Sequence, residues 1–311
     1  MRLDASVNAK AKWPHLVSVC RRPVVSGKRI SLGAPMSLSS AFSPKSPLVL
    51  VGAGKMGAAL LKGWLDGGLD PKAVVVVDPA PPADSAAVLA AGGIHPRPSA
   101  PDDVKAQVIV VAVKPQIIAS VLPALRPLVG PGTVTLSIAA GTTLASLAAG
   151  IGESAIVRSI PNTPAQVGRG ITAAVANGRV SGPGRALVDE LLASVGEVVW
   201  VDDEDLINAV TAVSGSGPAY VFLLAECLAE AGVAAGLDAE SAARLARATI
   251  TGAGELLYRS DLPPDVLRKN VTSPKGTTEA ALKVLMAEHG LSRLMTEAVA
   301  AAQKRSRELS G

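Results

Sequence analysis

Three hydroxyls stand close together in Val271-Thr-Ser-Pro-Lys-Gly-Thr-Thr-Glu279: Ser273, Thr277 and Thr278. A turn-forming proline and Gly276 lie among them, and Ala280-Ala-Leu-Lys-Val-Leu285 follows as the opening of an apolar-faced helix. The first turn of a helix leaves its N–H groups unpartnered at the positive end of the dipole. Hydroxyls added there make a seat for a small anion such as a carboxylate. A second candidate lies far upstream, where Gly52-Ala-Gly54-Lys-Met-Gly57 joins the apolar run Leu48-Val-Leu-Val51 to Ala58-Ala-Leu-Leu-Lys-Gly-Trp-Leu65. In a strand–glycine loop–helix context, the first glycine makes the turn, the second admits a pyrophosphate and the third lets helix and strand pack. Val51, Gly52, Gly54, Lys55, Met56 and Gly57 are therefore dinucleotide-binding candidates.

Other residues fall where such a cofactor would lie. Asp78 closes the next apolar run, 21 residues after Gly57. A carboxylate there accepts from both adenosine ribose hydroxyls and repels a 2′-phosphate, which leans the choice between NADPH and NADH towards NADH. The alternative is that Asp78 only opens the Asp78-Pro79 turn; Arg97 could add a compensating positive charge. Ala112-Val113-Lys114-Pro115 follows another buried run, so Lys114 reaches the ligand edge of the sheet as a catalytic and cofactor-binding candidate, or is a solvated loop lysine. Ser137-Ile-Ala-Ala140-Gly141 ends the next strand, with small residues that leave room for a nicotinamide ribose and ring.

The elements that must position these residues divide the chain of 311 residues in three. Residues 1–46 carry eight Lys/Arg against one acid, Asp4, whereas the remainder holds 22 basic and 25 acidic residues. The basic excess thus belongs to a Ser-rich segment without helical or strand period, read as a disordered extension. It fits an upstream extension of the frame, with Met36 as an alternative start, or a cleavable organelle-targeting peptide. A nucleic-acid surface needs its basic residues on a folded face, so that class is excluded. Apolar strands at 48–51, 74–77, 108–113, 134–138 and 155–158, with helical or turn segments between them, predict a parallel sheet buried on both faces. Added edge strands are expected at 171–175 and 198–201. Residues 47–202 thus form an α/β dinucleotide-binding domain of Rossmann type.

Residues 203–311 read as all-helical, with helices at 206–213, 219–235, 239–258, 264–269, 278–288 and 291–309. Such an Ala-rich apolar domain would pack against a second copy. Gly, Pro or charge breaks each apolar run before the ~18–20 residues a membrane span needs. Cys20 and Cys227 have no metal or disulfide spacing, so no metal site is expected and a cytoplasmic setting is the default.

In order along residues 48–309, these motifs resemble the pyrroline-5-carboxylate reductase family. They include the glycine loop, Val113-Lys-Pro115, Ser137–Gly141, Arg158-Ser-Ile-Pro-Asn-Thr-Pro164, Ala209-Val-Thr-Ala-Val-Ser-Gly-Ser-Gly-Pro-Ala-Tyr220, Val271–Thr278 and Arg305-Ser-Arg-Glu-Leu309. The resemblance implies hydride transfer from NAD(P)H to the C=N bond of 1-pyrroline-5-carboxylate, giving L-proline. An iminium is already electrophilic, so orientation matters more than a strong catalytic acid. The resemblance further implies that Ser273, Gly276, Thr277 and Thr278 hold the substrate carboxylate, and that Thr278 donates near the ring nitrogen. It places Asn270 beside the nicotinamide ribose and substrate, and Glu204 on the ring-nitrogen side; an ordinary first-turn acid is the alternative for Glu204. Interlocked helical domains of two subunits, with each site shared between them, are also implied. Lys275 departs from the family's Ser-Pro-Gly-Gly; an ordinary backbone and a solvent-facing side chain are expected there. The sequence offers no general acid/base Lys or His across 203–235, which argues against a hydroxyacid dehydrogenase. A cofactor-binding sensor without activity would not need the loop hydroxyls.

Overall fold

A computed structural model describes residues 38–310. Seven strands form one sheet: β1 (Leu48–Val51), β2 (Val74–Val77), β3 (Val108–Val111), β4 (Val134–Ser137), β5 (Ala155–Pro161), β6 (Gly170–Ala176) and β7 (Gly196–Trp200). Their spatial order is β2-β1-β3-β4-β5-β6-β7. β1 to β5 are all parallel in this order, with Leu48 beside both Val74 and Val108; β6 runs antiparallel to β5 and parallel to β7.

The strands lack polar alternation because both faces are covered. Leu48, Leu50, Val108 and Val110 pack against α2 (Lys55–Asp66), α3 (Ala83–Ala91) and α6 (Gly182–Ala193). On the other face Val49, Val51, Ile109 and Val111 meet α4 (Pro115–Leu125) and α5 (Leu144–Ile151). Trp64 anchors the first layer: it is fully buried and its Nε1 donates to Leu191 O at 2.9 Å. Truncation of such a side chain costs about 3–5 kcal/mol.

The boundary expected at residue 47 lies too late. The short helix α1 (Leu38–Ala41) precedes β1, and Leu38 and Phe42 are buried in the same cluster as Trp64. Two apolar side chains suffice to fold this end of the Ser-rich segment onto the sheet. The remainder of the predicted extension, Met36 and Cys20 included, falls outside the described residues.

The helical half contains α7 (Leu206–Val210), α8 (Gly217–Ala234), α9 (Ala239–Arg259), α10 (Pro264–Asn270), α11 (Thr277–Leu285) and α12 (Leu291–Leu309). Asp238 caps α9 by accepting from Ser241 N, and this bond holds its carboxyl below the usual range. A five-residue π-helix, Thr211–Gly215, joins α7 to α8. Gly215-Ser-Gly-Pro218 therefore does not break the helix: the wider turn accepts Ser216 N at Thr211 O, and Pro218 enters near the start of α8, where it needs no N–H. Leu206–Ala234 is a continuous 29-residue helical stretch whose mean hydropathy reaches 1.3, long and apolar enough to cross a membrane by that measure alone. α8, α10, α11 and α12 bury no side chain, and Phe222, Leu223, Leu224, Val284 and Leu294 are exposed.

Candidate active site

The glycine loop occupies the carboxyl edge of β1. Gly52 has φ +93°, and a Cβ on it would lie 2.8 Å from Ala112 O. A Cβ on Gly57 would lie 2.3 Å from Gly52 O, so neither position admits a side chain. Gly54 differs: no atom lies within 4 Å of its would-be Cβ. It stands at the N-terminus of α2 without a side-chain cap. Open space over one glycine, between two that are closed, suits the approach of a pyrophosphate to backbone N–H groups. The chain thus has a seat fitted to a dinucleotide. Behind it lie the buried Val51 and the half-buried Met56, Ala112 and Val113; Lys55 and Lys114 are exposed. Lys114 is the N-cap residue of α4, with Pro115 immediately after it.

Asp78 is not a free carboxylate. Its Oδ2 accepts from Ala53 N at 2.7 Å and its Oδ1 from Ala80 N at 2.9 Å. It opens the Asp78-Pro79 turn, as one reading of the sequence has it, and also ties β2 to the glycine loop. One edge further on, Ser137 O accepts from Ser159 Oγ at 3.0 Å. The turn through the exposed Ala140 and the half-buried Gly141 is approached by the end of α12, with Leu309 O 3.1 Å from a Cβ built on Gly141.

Glu204 makes two bonds within its own chain. Its Oε1 accepts from Leu144 N at 2.8 Å and from Arg158 Nη1 at 2.6 Å. Arg158 is 2% exposed on β5. The carboxylate therefore caps α5 and neutralises a buried guanidinium instead of complementing the start of its own helix. Together with Thr143, Asn208 and Arg307 the pair lines a cavity of about 220 Å³. Asn208 Oδ1 accepts from Ser306 Oγ at 2.9 Å, joining α7 to α12. Sequence reasoning gave Arg158 no role, although a lone arginine within the apolar strand Ala-Ile-Val-Arg-Ser-Ile is a signal for a buried ion pair. Tyr220 was also missed: its hydroxyl donates to Ala212 O at 3.0 Å and pins the π-helix. That π-helix lies at the end of β5, where Ile160 Cγ2 is 3.9 Å from a Cβ built on Gly215.

The 271–278 loop forms a turn closed by Gly276 N donating to Ser273 O at 3.0 Å. Pro274 takes the first central position and Lys275 the second, with φ 61°, so the ordinary backbone expected for Lys275 is wrong. A proline-led turn of this shape demands positive φ at the next residue, and that demand overrides the preference of lysine. Glu279 supports it by accepting from Lys275 N. The Lys275 side chain is exposed, as expected. α11 starts at Thr277 behind Gly276, which offers no side-chain cap. Among the described residues the hydroxyls of Ser273, Thr277 and Thr278 have no hydrogen-bond partner; Ser273 and Thr277 are exposed and Thr278 half-buried. Asn270, the last residue of α10, is exposed.

The chain thus presents two helix starts with open donors, at Gly54 and at Gly276. Comparison with known proteins gives the family. The family model described as pyrroline-5-carboxylate reductase dimerisation matches residues 204–309, so the helical half is a dimerisation domain. The model described as NADP oxidoreductase, coenzyme F420-dependent, matches residues 47–141. The pyrroline-5-carboxylate reductase of Pseudomonas aeruginosa is 41% identical over 266 residues, which is 85% of this chain and 96% of that protein. The structure of the Coxiella burnetii enzyme superimposes with a TM-score of 0.79 at 35% identity, covering 86% of this chain and 99% of that one. The Plasmodium falciparum pyrroline carboxylate reductase, solved with NADP bound, gives a TM-score of 0.71 at 30% identity, covering 86% and 99%. With its Rossmann sheet, its dimerisation helices and this degree of likeness over nearly the whole of its relatives' length, the chain belongs to the pyrroline-5-carboxylate reductase family.

Proposed function

We propose that two copies of this chain share each active site, in which the C=N bond of 1-pyrroline-5-carboxylate is reduced to give L-proline. The chain is an NAD(P)H-dependent oxidoreductase by family. The bound nicotinamide would supply the hydride to the imine carbon, and the ring nitrogen takes its proton from solvent; the residues of the chain do the positioning. Val51, Gly52, Gly54, Lys55, Met56 and Gly57 hold the pyrophosphate at the N-terminus of α2, with Asp78 at the adenosine ribose. Ala112, Val113, Lys114 and Ala140 line the path to the nicotinamide end. The partner copy brings Asn270 beside the nicotinamide ribose and Ser273, Gly276, Thr277 and Thr278 to the substrate carboxylate. Thr278 also donates towards the ring nitrogen, fixing which face of the imine meets the hydride. Lys114 supplies positive charge near the anionic substrate, and Glu204 acts by holding Arg158 and α5 in place.

The observation that carries this reading is the set of hydroxyls unpartnered among the described residues on an unburied helix start, in a domain whose apolar surface the described residues leave uncovered. Self-association covers that surface, and it supports reading Leu206–Ala234 as an interface helix rather than a membrane span. The test is steady-state kinetics with pyrroline-5-carboxylate and each reduced cofactor. Thr278→Ala should lower kcat/KM about 10–100-fold, the loss of a hydrogen bond to a charged group, while dinucleotide binding is unchanged. Unchanged kinetics would remove Thr278 from the site, and no turnover with either cofactor would sink the proposal.

A further inference from the structure

The loop between α3 and β3 returns alongside β2. Arg97 N donates to Val76 O at 2.8 Å, and Asp78 N donates to Arg97 O at 2.9 Å, giving a parallel bridge between Val77 and Arg97. Arg97 thereby extends the sheet by one rung at the carboxyl end of β2, one strand spacing of about 4.8 Å from the residue before Asp78. Its backbone is fixed on both sides by sequence. Pro96 precedes it, and Pro98 restricts it to the extended region. Only side-chain freedom is therefore lost when its guanidinium engages a ligand.

Among the described residues that guanidinium, which is exposed, has no acidic partner. Lys55 and Lys114, on the same edge of the sheet, are exposed and likewise make no ion pair among the described residues. Asp78, at the end of β2, receives an N–H on each oxygen, from Ala53 and Ala80. Its carboxylate is thus directed onto the glycine loop and its own turn, and its single negative charge is set against three exposed cations on this edge. A dinucleotide whose pyrophosphate lies at the N-terminus of α2 carries its adenosine ribose across the end of β2. Its 2′ position would then lie near Asp78 and Arg97. The planar guanidinium fork matches a phosphate with two parallel hydrogen bonds.

We infer that Arg97 reads the adenosine 2′-phosphate and makes NADPH the preferred cofactor, against the lean towards NADH that Asp78 gives by its type alone. This rests on the reading of residues 51–57 as the dinucleotide seat. The experiment is equilibrium titration of the full chain with NADPH and NADH by cofactor fluorescence, and with adenosine 2′,5′-bisphosphate by calorimetry. Arg97→Ala should weaken NADPH and the bisphosphate about tenfold or more and shift NADH by less than about twofold. Arg97→Lys, which keeps the charge and loses the fork, should fall between. Equal weakening of both cofactors, or no change for NADPH, would overturn the role of Arg97 while leaving the seat intact. Failure of the unaltered chain to bind either cofactor would overturn the seat itself, and Arg97 with it.

Discussion

Val51, Gly52, Ala53 and Gly57 are buried, and their loop is held by Gly52 N on Val77 O, Ala53 N on Asp78 and Ala112 N on Val51 O. Ser273, Pro274, Lys275 and Thr277 are exposed, and their loop closes only on itself and on Glu279. Both present free donors at a helix start. The first is finished by its own chain, because every side of it other than the ligand's meets another strand or loop. Among the described residues the second has hydroxyls without partners and lies in a half whose helices α8, α10, α11 and α12 have no fully buried residue. The contrast separates a site that one chain completes from a wall that one chain offers to another.

The largest effect is expected where the first loop is tightest. In Gly57→Val the new side chain starts 2.3 Å from Gly52 O, with backbone on the far side and no flexible group to yield. α2 must shift off the loop, and reduced-cofactor affinity should fall on the order of 100-fold by fluorescence titration. Binding within a few-fold of the unaltered chain would show that the loop does not seat the cofactor as described.

A hybrid of two crippled chains tests the contrast directly. Gly57→Val removes the cofactor seat and keeps the 271–278 loop; Thr278→Ala does the reverse. After the two are unfolded and refolded together, shared sites would pair the intact seat of one chain with the intact loop of the other. About a quarter of the sites should then be whole, with that fraction of activity restored above either variant alone. Sites built within single chains would leave the mixture no better than the mean of its parts.

What the sequence disclosed follows the same division. Runs such as Val74-Val-Val-Val77 are legible as strands because a sheet covered on both faces needs no polar alternation. The 51–57 loop is legible because each glycine answers a local demand. Less legible features depend on distant partners or on competition between rules. The contact of Glu204 with Arg158 spans 46 residues and joins a helical segment to a strand. Leu38 and Phe42 show their packing only once Trp64 is in place. Pro218 reads as a helix break until a π-turn absorbs it. At Lys275 the demand of the turn and the preference of the residue conflict, and the turn prevails.

That conflict sets the smallest and sharpest prediction. Lysine at φ 61° carries a left-handed penalty of about 1–2 kcal/mol, of which glycine would return part while losing about 0.5–1 kcal/mol in unfolded-chain entropy. Lys275→Gly should therefore raise stability by roughly 0.5–1 kcal/mol, a thermal shift of about 1–3 °C. It should also remove a positive charge from the rim of the loop. If Lys275 draws in the substrate carboxylate, KM should rise about two- to fivefold at low salt, and the difference should vanish as added salt screens it. Lys275→Ala separates the two effects, since it loses the charge but keeps the Cβ and hence the strain. Equal KM in both variants with a higher Tm only for glycine would assign strain to the backbone and attraction to the ammonium group. A Tm gain in alanine as large as in glycine would mean that the turn carries no penalty at this residue.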